Sequence, residues 1–310
     1  MSRATAPPAG SDGGAPGRPS RDPAGLAPAA LAGAVVAVSF SSIFIREADD
    51  GYATVVWGRL ALACLLLAPM FVRDLRHGRA PRRPGELAVV GASGAFLAVH
   101  FLTWTASLAY TTVASSVLLV CTSPVWVAFL GRRLLGEAVS PRLWAGIALA
   151  IGGTAITAGG DLGLSGRALA GDLLALAGSA SITGYLLIGR GVRARYGAAG
   201  YSVPCYAVSA VGGLVAVGVT GSPVVPSGRT LLACAALAAV CTVGGHTVLN
   251  WTLAHVRAVT VSVALLGEPP LSALLAIPIL HEWPPRGAIA GGAFIVVGIA
   301  IAVLERPSGI

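Results

Sequence analysis

Charge is scarce in this chain. Only 11% of its 310 residues are charged, lysine is absent, and all 21 basic residues are arginine. Soluble domains carry about 25% charged residues, so an ordinary soluble domain is excluded. The five cysteines, Cys64, Cys121, Cys205, Cys234 and Cys241, show no CxxC spacing and all fall within apolar stretches. A disulfide framework and a structural zinc site are thereby excluded, and the thiols read as small packing residues. No Walker phosphate loop occurs, and the start of a zinc-protease motif at His281 and Glu282 fails because Pro285 stands where the second histidine belongs. No cofactor and no metal are expected. What is abundant is apolar length: 55% of residues are hydrophobic and the mean hydropathy is +0.79. The formal charge of +8 could suggest a nucleic-acid partner. Most of the arginines, however, sit in turns between apolar runs, where membrane lipids with anionic headgroups are the expected partner and nucleic acid is not.

A bilayer core about 30 Å thick is crossed by a helix of about 20 apolar residues. From Leu26 to Leu304 the chain offers ten such runs: Leu26 to Ile45, Tyr52 to Val72, Leu87 to Leu108, Thr112 to Leu130, Pro141 to Ala158, Gly171 to Ile188, Tyr201 to Thr220, Thr230 to Trp251, Ala258 to Leu280, and Pro285 to Leu304. The fold class is therefore all-α, a polytopic membrane protein with ten transmembrane helices. Residues 1–25, rich in Pro, Gly, Ala and Ser, read as a disordered tail, and 305–310 as a short second tail. With both termini cytoplasmic, sixteen arginines face the cytoplasm, four (Arg46, Arg167, Arg229, Arg286) face outward, and Arg59 lies within a span. Such asymmetry is the positive-inside pattern of a multi-pass inner or plasma membrane protein. A missed span would swap every later turn and destroy it.

The chain also repeats itself. His100 and Trp104 pair with His246 and Trp251, Pro124 with Pro270, Glu137 with Glu282, and Gly153 with Gly298, at offsets between 145 and 147. Five spans per half is an odd number, so the halves, residues 26–160 and 168–304, must enter the membrane with opposite polarity as inverted repeats. The first half carries SFSSIFIREA, WGRLALACLLLAP and HFLTWTASLAYTTVASSVLLVCTSPVWVAFLGRRLLGE; the second carries GDLLALAGSASITGYLLIGR and HTVLNWTLAHVRAVTVSVALLGEPPLSALLAIPILHEW. In sequence order these motifs resemble the two EamA repeats of the drug/metabolite transporter superfamily. The resemblance implies a ten-helix inner-membrane carrier, often an exporter of metabolites or amino acids, with a central cavity between the halves. It also implies an arginine at Arg59 in the first repeat, where the second has Tyr206. HEWPP departs from the family's GE and polar turn.

Ionisable groups inside a membrane cost at least about 2.5 kcal/mol each, and four are interior here: Arg59, His100, His246 and Glu268. Glu268 sits ten residues beyond Ala258, about 15 Å into its span and near the midplane. It is the candidate to carry a proton or cation or to hold a cationic cargo group, against a permanently paired structural carboxylate. Pro269 and Pro270 follow it and remove two backbone donors, so a helix break belongs there, as at Pro124. Arg59 lies about 10 Å from the outer edge; it either snorkels or turns inward, to anchor a carboxylate or phosphate or to serve as counter-ion to Glu268. Polar stripes occur at helical spacing in His100, Trp104 and Ser107, in Thr242, His246 and Asn250, in Ser39, Ser42 and Arg46, and in Ser179 with Thr183. Each lines a cavity or bonds a neighbouring helix. Glu137 and Glu282 read as end anchors at the water boundary. Gly287 with Gly291, and Gly146 with Ala150, allow close helix contact, within one protomer or in a homodimer.

These residues point to a secondary active transporter of a small-molecule solute, a metabolite, amino acid or drug, alternating about a midplane site and coupled to protons through Glu268. The alternatives are an intramembrane enzyme on lipid-linked substrates, for which no second acidic residue lies near Glu268, and a channel or sensor. A carrier requires Arg59, His100, Trp104, Asn250 and Glu268 to border one shared cavity.

Overall fold

The structure, a computed structural model, describes residues 23–107, 109–111, 113–158, 166–281, 283 and 286–304. The expected tails, the anchor Glu282, and the predicted span ends at Leu108, Thr112 and Pro285 lie outside the described residues, apart from the last residues of the first tail. Among the described residues helices fill ten passes. In chain order these are α1a (Pro23–Ser39) and α1b (Ser41–Arg46), α2 (Tyr52–Arg76), α3 (Pro84–Ser107), α4a (Val113–Val120) and α4b (Ser123–Leu135), and α5 (Pro141–Ala158). The second half has α6 (Gly166–Val192), α7 (Ala198–Thr220), α8a (Gly228–Ala236), a π-helical segment over Leu237–Thr247, α8b (Val248–Thr252), α9a (Ala258–Leu265) and α9b (Glu268–Leu280), and α10 (Arg286–Val303). Eight of the passes are long and apolar enough to cross a membrane, and a shorter apolar stretch, Ile289–Ala302, lies in α10. The remaining pass, α5, has 18 residues, a reach of about 27 Å.

Local chemistry sets the helix ends. Ser140 accepts the Leu143 N–H at 3.0 Å with Pro141 at the first helical position of α5. Ser227 caps α8a through Thr230 N–H at 3.3 Å, and Asp50 in turn accepts the Ser227 N–H at 2.7 Å, which holds its carboxyl below the usual range. α4b and α9b, each 13 residues long, both close on a left-handed cap residue: Gly136 at φ 68° and His281 at φ 56°.

The main helix contacts are preserved when the halves are exchanged. α5 packs along α10 and α2 along α7, each pair mapping onto itself; α3 meets α6 as α8 meets α1, α3 meets α7 as α8 meets α2, and α4 meets α6 as α9 meets α1. The α5 and α10 seam fixes the sense. A Cβ on Gly153 would lie 2.6 Å from the Gly291 carbonyl oxygen, and one on Gly298 would lie 2.6 Å from that of Gly146. Contacts run forward along one helix and backward along the other, so these equivalent helices are antiparallel and the repeats are inverted. Here the small-residue faces serve contacts within one protomer. Equivalence also corrects one register: Pro124 is the second residue of α4b and Pro269 the second of α9b, helices of equal length with matching caps, so Pro124 matches Pro269 and not Pro270.

Candidate functional site

Three helix breaks open the middle of the bundle. α4 is interrupted at Cys121 and Thr122, α9 at Leu266 and Gly267, and α1 at Phe40. Prolines account for two of them: Pro124 cannot donate to the Val120 carbonyl, nor Pro269 and Pro270 to those of Leu265 and Leu266. Val120, Leu265 and Leu266 all border a cavity of about 550 Å³ enclosed by the two halves, a volume typical of small-molecule sites. Ser123 and Glu268 begin the equivalent helices α4b and α9b, and both lie on its wall. One copy of the repeat therefore supplies a hydroxyl where the other supplies a carboxylate.

Arg59, His100, Trp104, His246, Glu268, Ser42 and Pro269 line this single cavity. Arg59 turns inward and does not snorkel: it is 3% exposed. Its Nε and Nη2 donate to Thr242 Oγ1 at 3.3 and 3.1 Å, and its guanidinium lies 4.6 Å from the Phe101 ring centroid. Among the described residues no ion pair joins Arg59 or Glu268 to an opposite charge. His100 Nδ1 faces the Gly178 carbonyl at 2.9 Å and so must be the protonated nitrogen. His246 Nδ1 and Trp104 Nε1 are buried and have no partner among the described residues, and both residues border the cavity. Trp104 and Arg59 also border a void of about 20 Å³, room for one water.

Other sequence candidates lie elsewhere. Asn250 is fully buried in a network behind the cavity, accepting from Tyr185 at 2.7 Å and donating to Ser202 at 3.0 Å. Thr242 and His246 stand in the π-helical segment and Asn250 beyond it in α8b. The hydroxyls of Thr242 and Thr247 donate to carbonyls five residues back, at 3.0 and 3.1 Å, in keeping with the wider turn of that segment, whose residues spaced by four do not share a face as they do in an α-helix. Ser107 bonds Ser116 at 2.6 Å across to α4a, and Ser179 bonds Thr122 at 3.1 Å at the α4 break. Ser39 and Thr183 donate to carbonyls four residues back, at 2.7 and 2.9 Å. These four are helix contacts, not cavity lining, as short hydroxyl side chains in apolar helices commonly are. Pro124 and Pro270 shape breaks without lining the cavity. Phe101, Cys121, Ser262, Ser272 and Trp283 line it and were not anticipated. For the apolar ones no charge or polar stripe gave a signal; the adjacency of Phe101 to His100 was the available hint.

The cavity reaches outward at Ser42, Arg46 and Trp283, all exposed, where odd-numbered passes end. At the opposite end Glu137 is no mere boundary anchor. It pairs with Arg190 at 2.7 Å and accepts the Ala258 N–H at 3.2 Å, while Arg190 donates to the Leu253 carbonyl at 2.9 Å. α4, α6 and the α8 to α9 turn are thereby tied together, and α9a packs on α4b above them.

The asymmetry between the halves centres on Arg59 and its equivalent Tyr206. Arg59 stacks on Phe101 of α3, and Tyr206 bonds Thr247 at 3.1 Å at the matching place on α8. In the second half that niche is filled by tyrosines and Asn250, and in the first it holds a cation beside the cavity.

Comparison with known proteins gives the same reading. Residues 26–159 match the model of the EamA-like transporter family. The chain is 28% identical over 293 residues to a "Probable terminal-alkyne amino-acid exporter" of Streptantibioticus cattleyicolor, spanning 89% of this chain and 93% of that protein. It is 26% identical over 253 residues to an "Uncharacterized transporter" of Archaeoglobus fulgidus, spanning 78% and 86%. A solved crystal structure shares the fold at a TM-score of 0.72 and 23% identity, over 90% of this chain and 98% of that one. With its all-helical inverted repeats, central cavity and relatives named as transporters, the chain is a membrane transporter whose first half is similar to the EamA-like transporter family.

Proposed function

We propose that this protein is a secondary active exporter of small zwitterionic solutes of the amino-acid class, working by alternating access in the cell membrane with both termini cytoplasmic. The observation that carries this reading is the cavity itself, which holds one buried cation, Arg59, and one carboxylate, Glu268, neither paired with an opposite charge among the described residues. A cargo carboxylate fits the guanidinium. A cargo ammonium fits Glu268, and the apolar lining from Phe101, Trp104 and Ile182 takes a side chain. When the cargo leaves, a proton on Glu268 replaces its ammonium, so the carboxylate never stands bare in a low-dielectric site. That exchange couples solute movement one way to proton movement the other. The similarity to an exporter named for an amino acid supports the same class.

Proteoliposomes loaded with apolar L-amino acids test this. Arg59→Ala should lower flux at least about tenfold, the value of one lost charge-assisted contact of about 1.5–3 kcal/mol. Glu268→Gln should retain exchange of solute for solute and lose the response to an imposed pH gradient. Native flux in Arg59→Ala, or an intact gradient response in Glu268→Gln, overturns the respective role.

A further inference from the structure

The Arg59 guanidinium is held on its hydrogen-bonding side by a single hydroxyl. Thr242 Oγ1 accepts from Nε and Nη2 together, at 3.3 and 3.1 Å. Its own proton is committed elsewhere, to the Leu237 carbonyl five residues back at 3.0 Å. That bond depends on the π-helical register of Leu237–Thr247; in ordinary helix the hydroxyls of Ser39, Thr154, Thr157 and Thr183 turn to the carbonyl four residues back. With its proton spent on Leu237, the Thr242 oxygen offers only lone pairs to the guanidinium. The contact uses the Nε and Nη2 edge, which leaves the Nη1 and Nη2 end free of protein acceptors among the described residues. The Phe101 ring, 4.6 Å away, limits movement out of plane. Arg59, His246 and Trp104 border the same cavity, and the two unpartnered nitrogens, His246 Nδ1 and Trp104 Nε1, belong to this group.

We infer that Thr242 is a specificity-determining positioning residue: by fixing the guanidinium plane through one edge, it presents the other edge as a two-pronged site for a planar carboxylate and so makes the transporter prefer acids over their amides. This rests on the proposed reading of Arg59 as the cargo anchor. An arginine free to rotate would still attract negative charge, but it would lose the two parallel bonds that distinguish a carboxylate from a carboxamide. The repeat partner of Arg59 shows the same use of the segment: Tyr206 bonds Thr247, five residues on from Thr242. The wide turn thus serves both equivalent residues, one at the cavity and one behind it.

The test measures efflux of apolar L-amino acids, alanine to tryptophan, and of their amides from proteoliposomes containing native protein, Thr242→Val, Thr242→Ser or Arg59→Ala. Thr242→Val keeps the shape and removes the acceptor. It should raise the KM for the acid about tenfold, leave the maximal rate within about twofold, and abolish the preference for acid over amide. Thr242→Ser should restore both KM and preference. Native KM and preference in Thr242→Val, with loss of preference in Arg59→Ala, overturns the role of Thr242 and leaves Arg59 as anchor. A Thr242→Ser protein as impaired as Thr242→Val also overturns it, since only the methyl would then matter. If native protein shows no preference for any acid over its amide, the anchor reading falls and this inference falls with it.

Discussion

Single side chains divide by whether the membrane makes them expensive. Glu268 and Arg59 were legible in the sequence because a charge at membrane depth has a cost that demands a reason, and both border the cavity. Phe101 and Cys121 border it equally, yet an apolar residue in an apolar helix carries no such signal. Asn250 lies beyond the π-helical segment, in α8b, and is taken up by a buried network with Tyr185 and Ser202 that its spacing from His246 does not reveal. His281 shows what the repeat alone reveals. It occupies the left-handed cap position that Gly136 fills in the first half, each N–H reaching a carbonyl five residues back, and among the described residues it is the one non-glycine with positive φ. Left-handed backbone costs a residue with a Cβ about 1 kcal/mol. His281→Gly should therefore stabilise the protein and raise its unfolding temperature by about 2 °C, measured by fluorescence in detergent. A lower unfolding temperature would mean that the imidazole makes a contact worth more than the cap strain.

Helices and their seams show the same mixture of legible and hidden. The breaks in α4 and α9 follow from Pro124 and Pro269, whose missing donors are visible in any reading of the sequence. The small-residue faces of α5 and α10 were visible too, but their partner was not, because glycine spacing states that two helices approach closely without saying which two. Packing supplies the answer, and adjacent glycines provide the control. A Cβ at Gly153 would meet the Gly291 carbonyl at 2.6 Å, whereas nothing lies within 4 Å of one at Gly152. Gly153→Ala should cost about 1–3 kcal/mol through forced separation of the helices. Gly152→Ala should be neutral or stabilising by up to about 1 kcal/mol from helix propensity. Thermal unfolding of the two variants side by side decides it; equal behaviour would mean that the α5 and α10 seam is looser than the structure shows.

Across the protein, exchange of the two halves preserves nearly every helix contact while the side chains at the centre differ: Arg59 against Tyr206, and Ser123 against Glu268. Under the proposed alternating access the symmetric scaffold closes in two equivalent ways; in this structure Glu137 and Arg190 tie α4 to α6 at one end, and the cavity meets the exposed Arg46 and Trp283 at the other. The odd number of passes per half made the inverted plan legible, since polarity follows from counting. The closed end was not, because Glu137 and Arg190 are 53 residues apart and no pattern joins them. Cys121, at the α4 break on the cavity wall, offers a test of the proposed alternation. With Cys64, Cys205, Cys234 and Cys241 replaced by alanine, a membrane-impermeant methanethiosulfonate reagent is applied to right-side-out and inside-out vesicles, with Glu137 intact or changed to Gln. Cys121 should react from the outer face in the first protein, and Glu137→Gln should shift reactivity toward the cytoplasmic face. Reaction from the cytoplasmic face with Glu137 intact, or a facial preference that Glu137→Gln leaves unchanged, would contradict two bundles rocking about one central site.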